Sequence, residues 1–592
     1  MRAYRGGQWL AVLVAAAAFG KMLAADETAA PLETIGDITV VSGMTGIPVE
    51  GWGLVVGLPG TGSNPPPSRA RHRLLDMMRK RNVPTPEALL RSRATALVRV
   101  TGVIPPGARK GERINVRVEL LPQDQAKSLR RGWLLETELF ESGVTFGVGG
   151  LSGEKLGMAA GPLVVQGEEA EARWAVIPGG GVCLVNRSFS LLTGNNYRSA
   201  RYTMEIERRI NQRFPVAGPG RKQVATAKDD TQIELVVPTQ YEFNPARFLT
   251  VVRAIPLWSR NHTDEAIAER IQRLAKDLQN PATALPAAIA LESIGRRGIP
   301  ALKAALNSPN PDVRFFAAEA LAYLGEPAAA HALAETARQI REYRAHALTA
   351  LASLDEPASR LELRRLLDAR DTELRYGAFR ALRMQDTLSP DMKGRLLDRH
   401  VRLHVLNTAG PPLVHVTLQG EPEIVIFGED QRFLTPLTLR AGTDILLTAS
   451  TGARTMLVAR YTLGQRPVRR SVPLELVPAI EELVQLGARY SDLVQLFELA
   501  HKNHNLQGEF AVDAVPDPGL LNQRLKRIAA PEVAETGVSS PLVGLFRRAK
   551  QERTRRGPTA TASLDAERSD DDPRYFRSEP GFWKRIWKRL RR

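Results

Sequence analysis

Between residues 284 and 382 one spacing of alanine and leucine keeps returning. Ala317, Ala320-Leu321 and Leu324 reappear thirty positions later as Ala347, Ala350-Leu351 and Leu354. A weaker copy follows at Ala378 and Ala381-Leu382, and an earlier one stands at Ala288, Leu291 and Ile294. This period constrains the fold more than anything else in the chain. Each unit reads as one pair of helices that cannot bury its apolar face alone, so the pairs must stack. Pro309-Asn310-Pro311-Asp312-Val313-Arg314 has the composition of an inter-helix turn that opens a helix. We expect about four stacked pairs, a HEAT-like solenoid over 264–390. The Ala/Leu stripes themselves read as core. Any function of the block is expected on its open face, as a surface for a protein partner.

The texture on either side is different. From Thr34 to about Arg260 short strands dominate, with a few helices. Arg113 to Leu120 alternates cleanly, with Ile114, Val116, Val118 and Leu120 on one side and Arg113, Asn115, Arg117 and Glu119 on the other. That is a strand of an antiparallel sheet with one solvated face. Arg69 to Arg81 carries Leu74, Leu75, Met77 and Met78 at helical spacing. Strand patterns return at Arg402–Leu406, Val414–Leu418 and Glu423–Asp430. A helical stretch follows at Leu483–Leu499, where Ser491 is expected to cap a second helix and Asp492 to sit in its first turn. The expected class is α+β: β-rich domains, an inserted α-solenoid and a disordered basic C-terminal tail. With 592 residues, a prior of about 150 per domain gives roughly four domains.

The first 25 residues read as a secretion signal: Arg2 and Arg5, an apolar core from Trp9 to Phe19, and a small-residue exit at Leu23-Ala24-Ala25. Its apolar run of about 11 residues is too short for a membrane-spanning helix. The net charge is +17, but the last 46 residues hold 15 basic and 7 acidic side chains, +8 of that total. The remainder is only mildly basic, which argues against a nucleic-acid partner. Residues 516–592 read as disordered. They end in a pattern where Phe582, Trp583, Ile586, Trp587 and Leu590 share one helical face and basic residues the other. Trp583, Ile586, Trp587 and Leu590 are the expected contact residues of that tail, with a membrane, an anionic polymer or a protein. Cys183 is the only cysteine, so no intrachain disulfide forms; its apolar neighbours make it a small core residue.

No catalytic constellation stands out. His501 and His504 are three apart with no adjacent cysteine and no clear third ligand, and we expect neither a metal nor a cofactor. The stretch Gly51 to Gly62, GWGLVVGLPGTG, invites a phosphate-binding reading. That reading fails, because no Lys-Ser or Lys-Thr follows Gly62 and three prolines stand at 65–67, where a P-loop opens a helix. It reads instead as a short buried strand, Leu54–Val56, running into a tight loop.

GWGLVVGLPGTG resembles the signature near the mature N-terminus of the flagellar P-ring protein family, with Trp52 in place of a Tyr and Ser63 in place of an Asp. The resemblance continues in order. Ile104 to Glu112, Ile114 to Val118 and Ala126-Lys127-Ser128-Leu129-Arg130-Arg131-Gly132 resemble the family's next turn, strand and Ala-Lys-Ser-Leu-Arg segment. Gly161–Gly167, Ala175–Gly181, Glu423–Asp430, Ser491–Val494 and Asn505–Phe510 are similar to later family segments. The family often has a cysteine pair that this chain lacks, and typical members lack the helical block. The resemblance therefore implies P-ring-like regions at 34–260 and 400–515, interrupted by the solenoid. It implies a non-enzymatic structural protein of the periplasm, one of many copies in a ring around the flagellar rod that acts as a bushing. Implied partners are other copies, rod and L-ring proteins and peptidoglycan. Gly51, Gly53, Gly57, Gly60, Gly62, Arg109, Lys127 and Arg130 are the implied assembly residues. The alternative is a secreted scaffold that kept this fold without a flagellar role. A cell-wall hydrolase would need an acidic catalytic pair, which the sequence does not offer.

Overall fold

A computed structural model describes residues 34–546 except 143–153, 166–171, 217–222, 258–263, 387–388, 398–400, 463 and 529–543. The signal-like start and the terminal Trp583–Leu590 pattern lie outside the described residues. Among those described, no helix is long and apolar enough to cross a membrane.

After a short helix, Ile35–Ile38, the N-terminal part runs through β1 (Thr39–Ser42) into a six-stranded closed barrel. Its strands are β2 (Ile47–Val56), β3 (Thr95–Ile104), β4 (Arg113–Leu120), β5 (Trp133–Glu141), β6 (Lys155–Pro162) and β7 (Trp174–Cys183). They close in the order β2-β3-β4-β7-β6-β5, every pair antiparallel. Closure leaves no open edge, which a sheet of this size otherwise has to protect. β4 occupies the residues its alternation predicts, and Val116 and Val118 are fully buried in the barrel with Val98, Val100 and Cys183. Outside the wall, Leu54, Val56 and Leu97 pack under the helix Arg69–Lys80, which brings Leu74, Leu75 and Met78. The Ser68 hydroxyl starts that helix by accepting from Arg71 N.

β2 is longer than the expected Leu54–Val56. Its pairing with β3 runs unbroken from Ile47↔Ile104 to Val56↔Thr95. Pro48, Gly51 and Gly53 weaken a strand signal in sequence, but pairing on both sides supplies what propensity does not.

β8 (Phe189–Thr193), β9 (Ala225–Ala227) and β10 (Gln232–Leu235) join β1 in a second sheet, order β1-β8-β10-β9. One face packs on the helices Ala200–Arg213 and Pro245–Arg253.

The expected repeats then follow. Helices Ala284–Ile294, Pro311–Tyr323, Arg344–Ser353 and Thr372–Gln385 form an inner row; Ile299–Ala305, Ala329–Gln339 and Pro357–Leu366 form an outer one. Asn310 and Asp371 cap two inner helices through their side chains. The inner helix Pro311–Tyr323 is buried nearly all round: every residue from Phe315 to Tyr323 is buried. The face the repeats leave open is that of the outer helices, where His331 and Leu361 are exposed, and the inner row is covered. The helix Pro245–Arg253, the second sheet, the C-terminal sheet and the chain's own residues 515–528 cover it.

The C-terminal part has two sheets. β11 (Arg395–Leu397), β12 (Val401–Leu406), β13 (Leu413–Val416) and β14 (Glu423–Phe427) belong to the first; β15 (Leu437–Ala441), β16 (Ile445–Ala449), β17 (Thr455–Arg460) and β18 (Val468–Pro473) form an antiparallel meander. β19 (Glu509–Val512) completes the first, order β11-β12-β14-β13-β19. The helices Leu476–Gln485 and Tyr490–Lys502 share a core with both. Ser491 does not cap the second of these. Arg489 holds the capping position, its N–H donates to Asp492 (2.9 Å), and Ser491 is buried one turn-position inside. The boundary at 516 also moves: the stretch expected to be disordered from there forms a helix, Leu520–Ile528, docked on the solenoid. Leu521 and Leu525 supply an apolar pair at helical spacing that seats it.

Candidate functional site

Of the implied assembly residues, Gly51 and Gly53 lie in the barrel wall, not in a loop. β5 presses against β2 where their register shifts between Glu50 and Val55. A Cβ on Gly51 would land on the Glu138 carbonyl, and one on Gly53 on the Thr137 hydroxyl. Only glycine admits this approach.

Gly57, Gly60 and Gly62 do form a loop at one end of the barrel. Gly57 and Gly60 each have φ of +76°, the left-handed region glycine enters without strain. The loop is stitched to the chain's own 124–132 segment. The Thr61 hydroxyl donates to Ser128 O (2.7 Å), Lys127 N donates to Thr61 O (2.8 Å), and the Ser63 hydroxyl meets the Asp124 carboxylate. Lys127 is exposed there, and Arg130 N donates to the Ser128 hydroxyl (3.3 Å). The structure thus brings Gly57, Gly60, Gly62, Lys127 and Arg130 together. Arg109 sits apart. It follows the far end of β3, ten residues or roughly 33 Å away at strand rise, and forms an exposed pair with Glu242 (3.3 Å).

The barrel end is also tied to the C-terminal part. The Arg131 guanidinium meets Asp444 at 2.8 Å, and Arg489 donates to Arg131 O. Lower on the wall, the Asn115 amide oxygen accepts from both Gly179 N (2.9 Å) and Gly420 N (2.7 Å).

The densest chemistry in the molecule was not legible in the sequence. Arg247, on the helix Pro245–Arg253, is wholly buried between Glu292 (2.6 Å) and Glu319 (2.5 Å) of two successive inner helices. The Tyr241 hydroxyl donates to Glu292 (2.6 Å), and Asn244 donates to the Tyr323 hydroxyl (3.1 Å). Burial raises Glu292 and Glu319 above the usual carboxylate range, against the pull of Arg247. Burial, reinforced by Glu292, holds the Tyr241 phenol well above its ordinary value. A second junction centres on Glu423 of β14, which accepts from Tyr376 (2.5 Å) and Arg383 of the last inner helix. A third seats the C-terminal helix: Arg524 meets Asp312 (2.6 Å), Arg527 meets Glu342 (2.5 Å), and Pro518 O lies 3.3 Å from His346 Nε2. The only trace of these groups in sequence is a lone charge within an apolar stripe, as at Arg247, Glu292 and Glu319.

These are structural ion pairs and hydrogen bonds. Among the described residues no group of His, Cys, Asp and Glu is arranged to hold a metal. What the molecule presents to the outside is surface: loops at the barrel ends and the faces of its sheets.

Residues 34–271 match the family described as flagellar P-ring protein, and residues 267–339 match HEAT repeats. A flagellar P-ring protein of Thermotoga petrophila is 31% identical over 236 residues, covering 37% of this chain and 66% of the relative. Those of Helicobacter pylori strain 26695 and Aquifex aeolicus are 28% and 29% identical, over 65% and 59% of their own lengths. The chain thus spans about two thirds of the length of the curated relatives it matches. The matched stretch runs through the barrel, the β1-β8-β10-β9 sheet and the helix that carries Arg247. Over residues 34–271 the chain belongs to the flagellar P-ring protein family, with HEAT repeats joined directly behind it.

Proposed function

We propose that this protein is a structural, non-catalytic subunit of the flagellar basal body, working in the periplasm, where its copies form a ring around the rod that serves as a bushing for rotation. The observation that carries this is the continuous P-ring match over 34–271, which takes in the whole barrel and its neighbouring sheet. About a third of each relative's length falls outside that match. We assign that part to 400–515, on the resemblance of Glu423–Asp430, Ser491–Val494 and Asn505–Phe510. The barrel end with Gly57, Gly60, Gly62, Lys127 and Arg130 is then a contact surface for a neighbouring basal-body component, and Arg109 a contact at the opposite end. Rod and L-ring proteins and peptidoglycan are the partners this role brings.

Electron microscopy of the purified protein, alone and mixed with basal bodies, tests the reading. Closed rings, or density coaxial with the rod, are expected. Monomers that never join a basal body would replace it with a periplasmic scaffold that has no flagellar role.

A further inference from the structure

The β1-β8-β10-β9 sheet and the helix Ala200–Arg213 form two layers, and both outer surfaces carry exposed apolar side chains. On the sheet side, the register sets Val40 of β1 directly opposite Leu192 of β8, which in turn faces Gln232 of β10. Val40 is 67% exposed and Leu192 40%. No strand among the described residues pairs with the outer edge of β1. Asp229 and Asp230 stand exposed in the turn beside this row, since Thr193 N donates to Thr231 O there. On the helix side, Thr203, Ile206 and Ile210 face inward, so Met204 points away from the sheet and is 64% exposed. Arg201 and Arg208 lie on either side of Met204 on that outer face, both exposed. Glu205, also there, is occupied by Arg208 and Arg209 at 2.7 Å.

The two surfaces complement each other. Each has an apolar centre. The sheet side carries Asp229, Asp230 and a Glu234 already paired with Lys228 (2.9 Å), an acidic surplus. The helix side carries a basic one. Neither surface matches itself, so a two-fold contact would set like charge against like. A head-to-tail contact sets opposite charges together and, with the right rotation, closes into a ring.

We propose that a second copy of this chain docks head to tail here, the Val40–Leu192 face of one subunit against the Met204 face of the next. This rests on the ring reading above and names the surfaces that would build the ring.

Val40→Arg and Met204→Arg test it in the full chain, because both side chains are already exposed and circular dichroism can verify that the fold is kept. Mass photometry of the parent protein should find assemblies larger than dimers. Each variant alone should be monomeric, with association weakened at least tenfold. An equal mixture should give dimers and nothing larger, because one intact face of each kind remains. A chain with Val40→Cys and Met204→Cys should form disulfide-linked ladders between copies under oxidation. Variants that assemble like the parent, or a mixture that stays monomeric, would overturn the head-to-tail contact and leave the ring reading standing. A parent protein monomeric at every concentration would overturn both.

Discussion

Arg247 and Glu319 meet at 2.5 Å with both side chains shut off from solvent, one from the P-ring segment and one from the second inner helix of the repeats. Glu292 holds the same guanidinium from the other side. The repeats are therefore bonded into the interior of the P-ring segment and share one core with it.

Removing the guanidinium leaves two buried carboxylates facing each other. Arg247→Met should lower stability by about 3–5 kcal/mol, the cost typical of orphaning a buried ion pair. Adding Glu292→Gln and Glu319→Gln should recover part of that loss. Urea unfolding of the three proteins checks it; equal midpoints would mean the cluster holds nothing together.

The glycines separate into two kinds. A methyl group on Gly51 collides with the backbone of β5, so Gly51→Ala should cost about 1–3 kcal/mol or more as overpacking. Gly60 has nothing within 4 Å of such a methyl, and Gly60→Ala should cost only the left-handed conformation, about 1–2 kcal/mol. Thermal unfolding ranks them. Gly57→Val keeps the barrel but reshapes the loop beside Lys127, and electron microscopy should find its rings lost if that barrel end is a contact.

Three histidines make stability depend on pH. His415 stacks on Tyr376, ring centres 3.5 Å apart, and burial pushes its imidazole down to about 3; burial takes His346 and His404 down to about 4. An unfolded imidazole titrates near 6.5, so below that pH the unfolded chain binds protons the folded chain refuses. Stability is then complete above about pH 7 and is lost as pH falls from about 6.5 towards 4. Glu292 and Glu319, raised by burial, work in the opposite sense just above the ordinary carboxylate range. His415→Gln keeps an acceptor for Ala514 N (3.0 Å) and removes one titration. Between pH 6.5 and 5 the parent should lose up to about 1.4 kcal/mol per pH unit more than this variant. Parallel stability curves would show that His415 is not held neutral.

The helix Leu520–Ile528 is seated by Leu521 and Leu525, each 1% exposed, and by Arg524 against Asp312 and over the Tyr343 ring at 4.9 Å. Leu525→Asp should unseat it. Trypsin should then cut at Lys526 and Arg527 at least tenfold faster, while the solenoid stays intact. An unchanged cleavage rate would rule out the docking.

What could be read in advance was whatever repeats or alternates locally. β4 kept its predicted bounds because Ile114 to Leu120 records one buried and one solvated face in every second residue. The solenoid was legible through a period that local sequence carries on its own. In sequence β2 reads shorter than it is because Gly51 and Gly53 serve a neighbouring strand, and that pressure comes from Glu138 and Thr137, far along the chain. The Arg247 cluster joins residues 45 and 72 positions apart, each looking like a stray charge until the helices meet. The docked helix was hidden because its surroundings are rich in proline and charge, and only its partners Asp312 and Glu342 make those charges local.

The bonds of Asn115 carry a last implication. One oxygen holds Gly179 in the barrel and Gly420 in the C-terminal part, while the repeats join those same two parts by the longer route. The subunit is a closed circuit, and the solenoid is the one arc whose length is counted in whole units. Adding or removing a helix pair would move its ends by about 8–10 Å, the spacing of packed helices. No side chain at position 115 could bridge that gap. The repeat number is thus a fixed dimension of the subunit, matched to a seam that Asn115, Arg131 and Arg489 hold together.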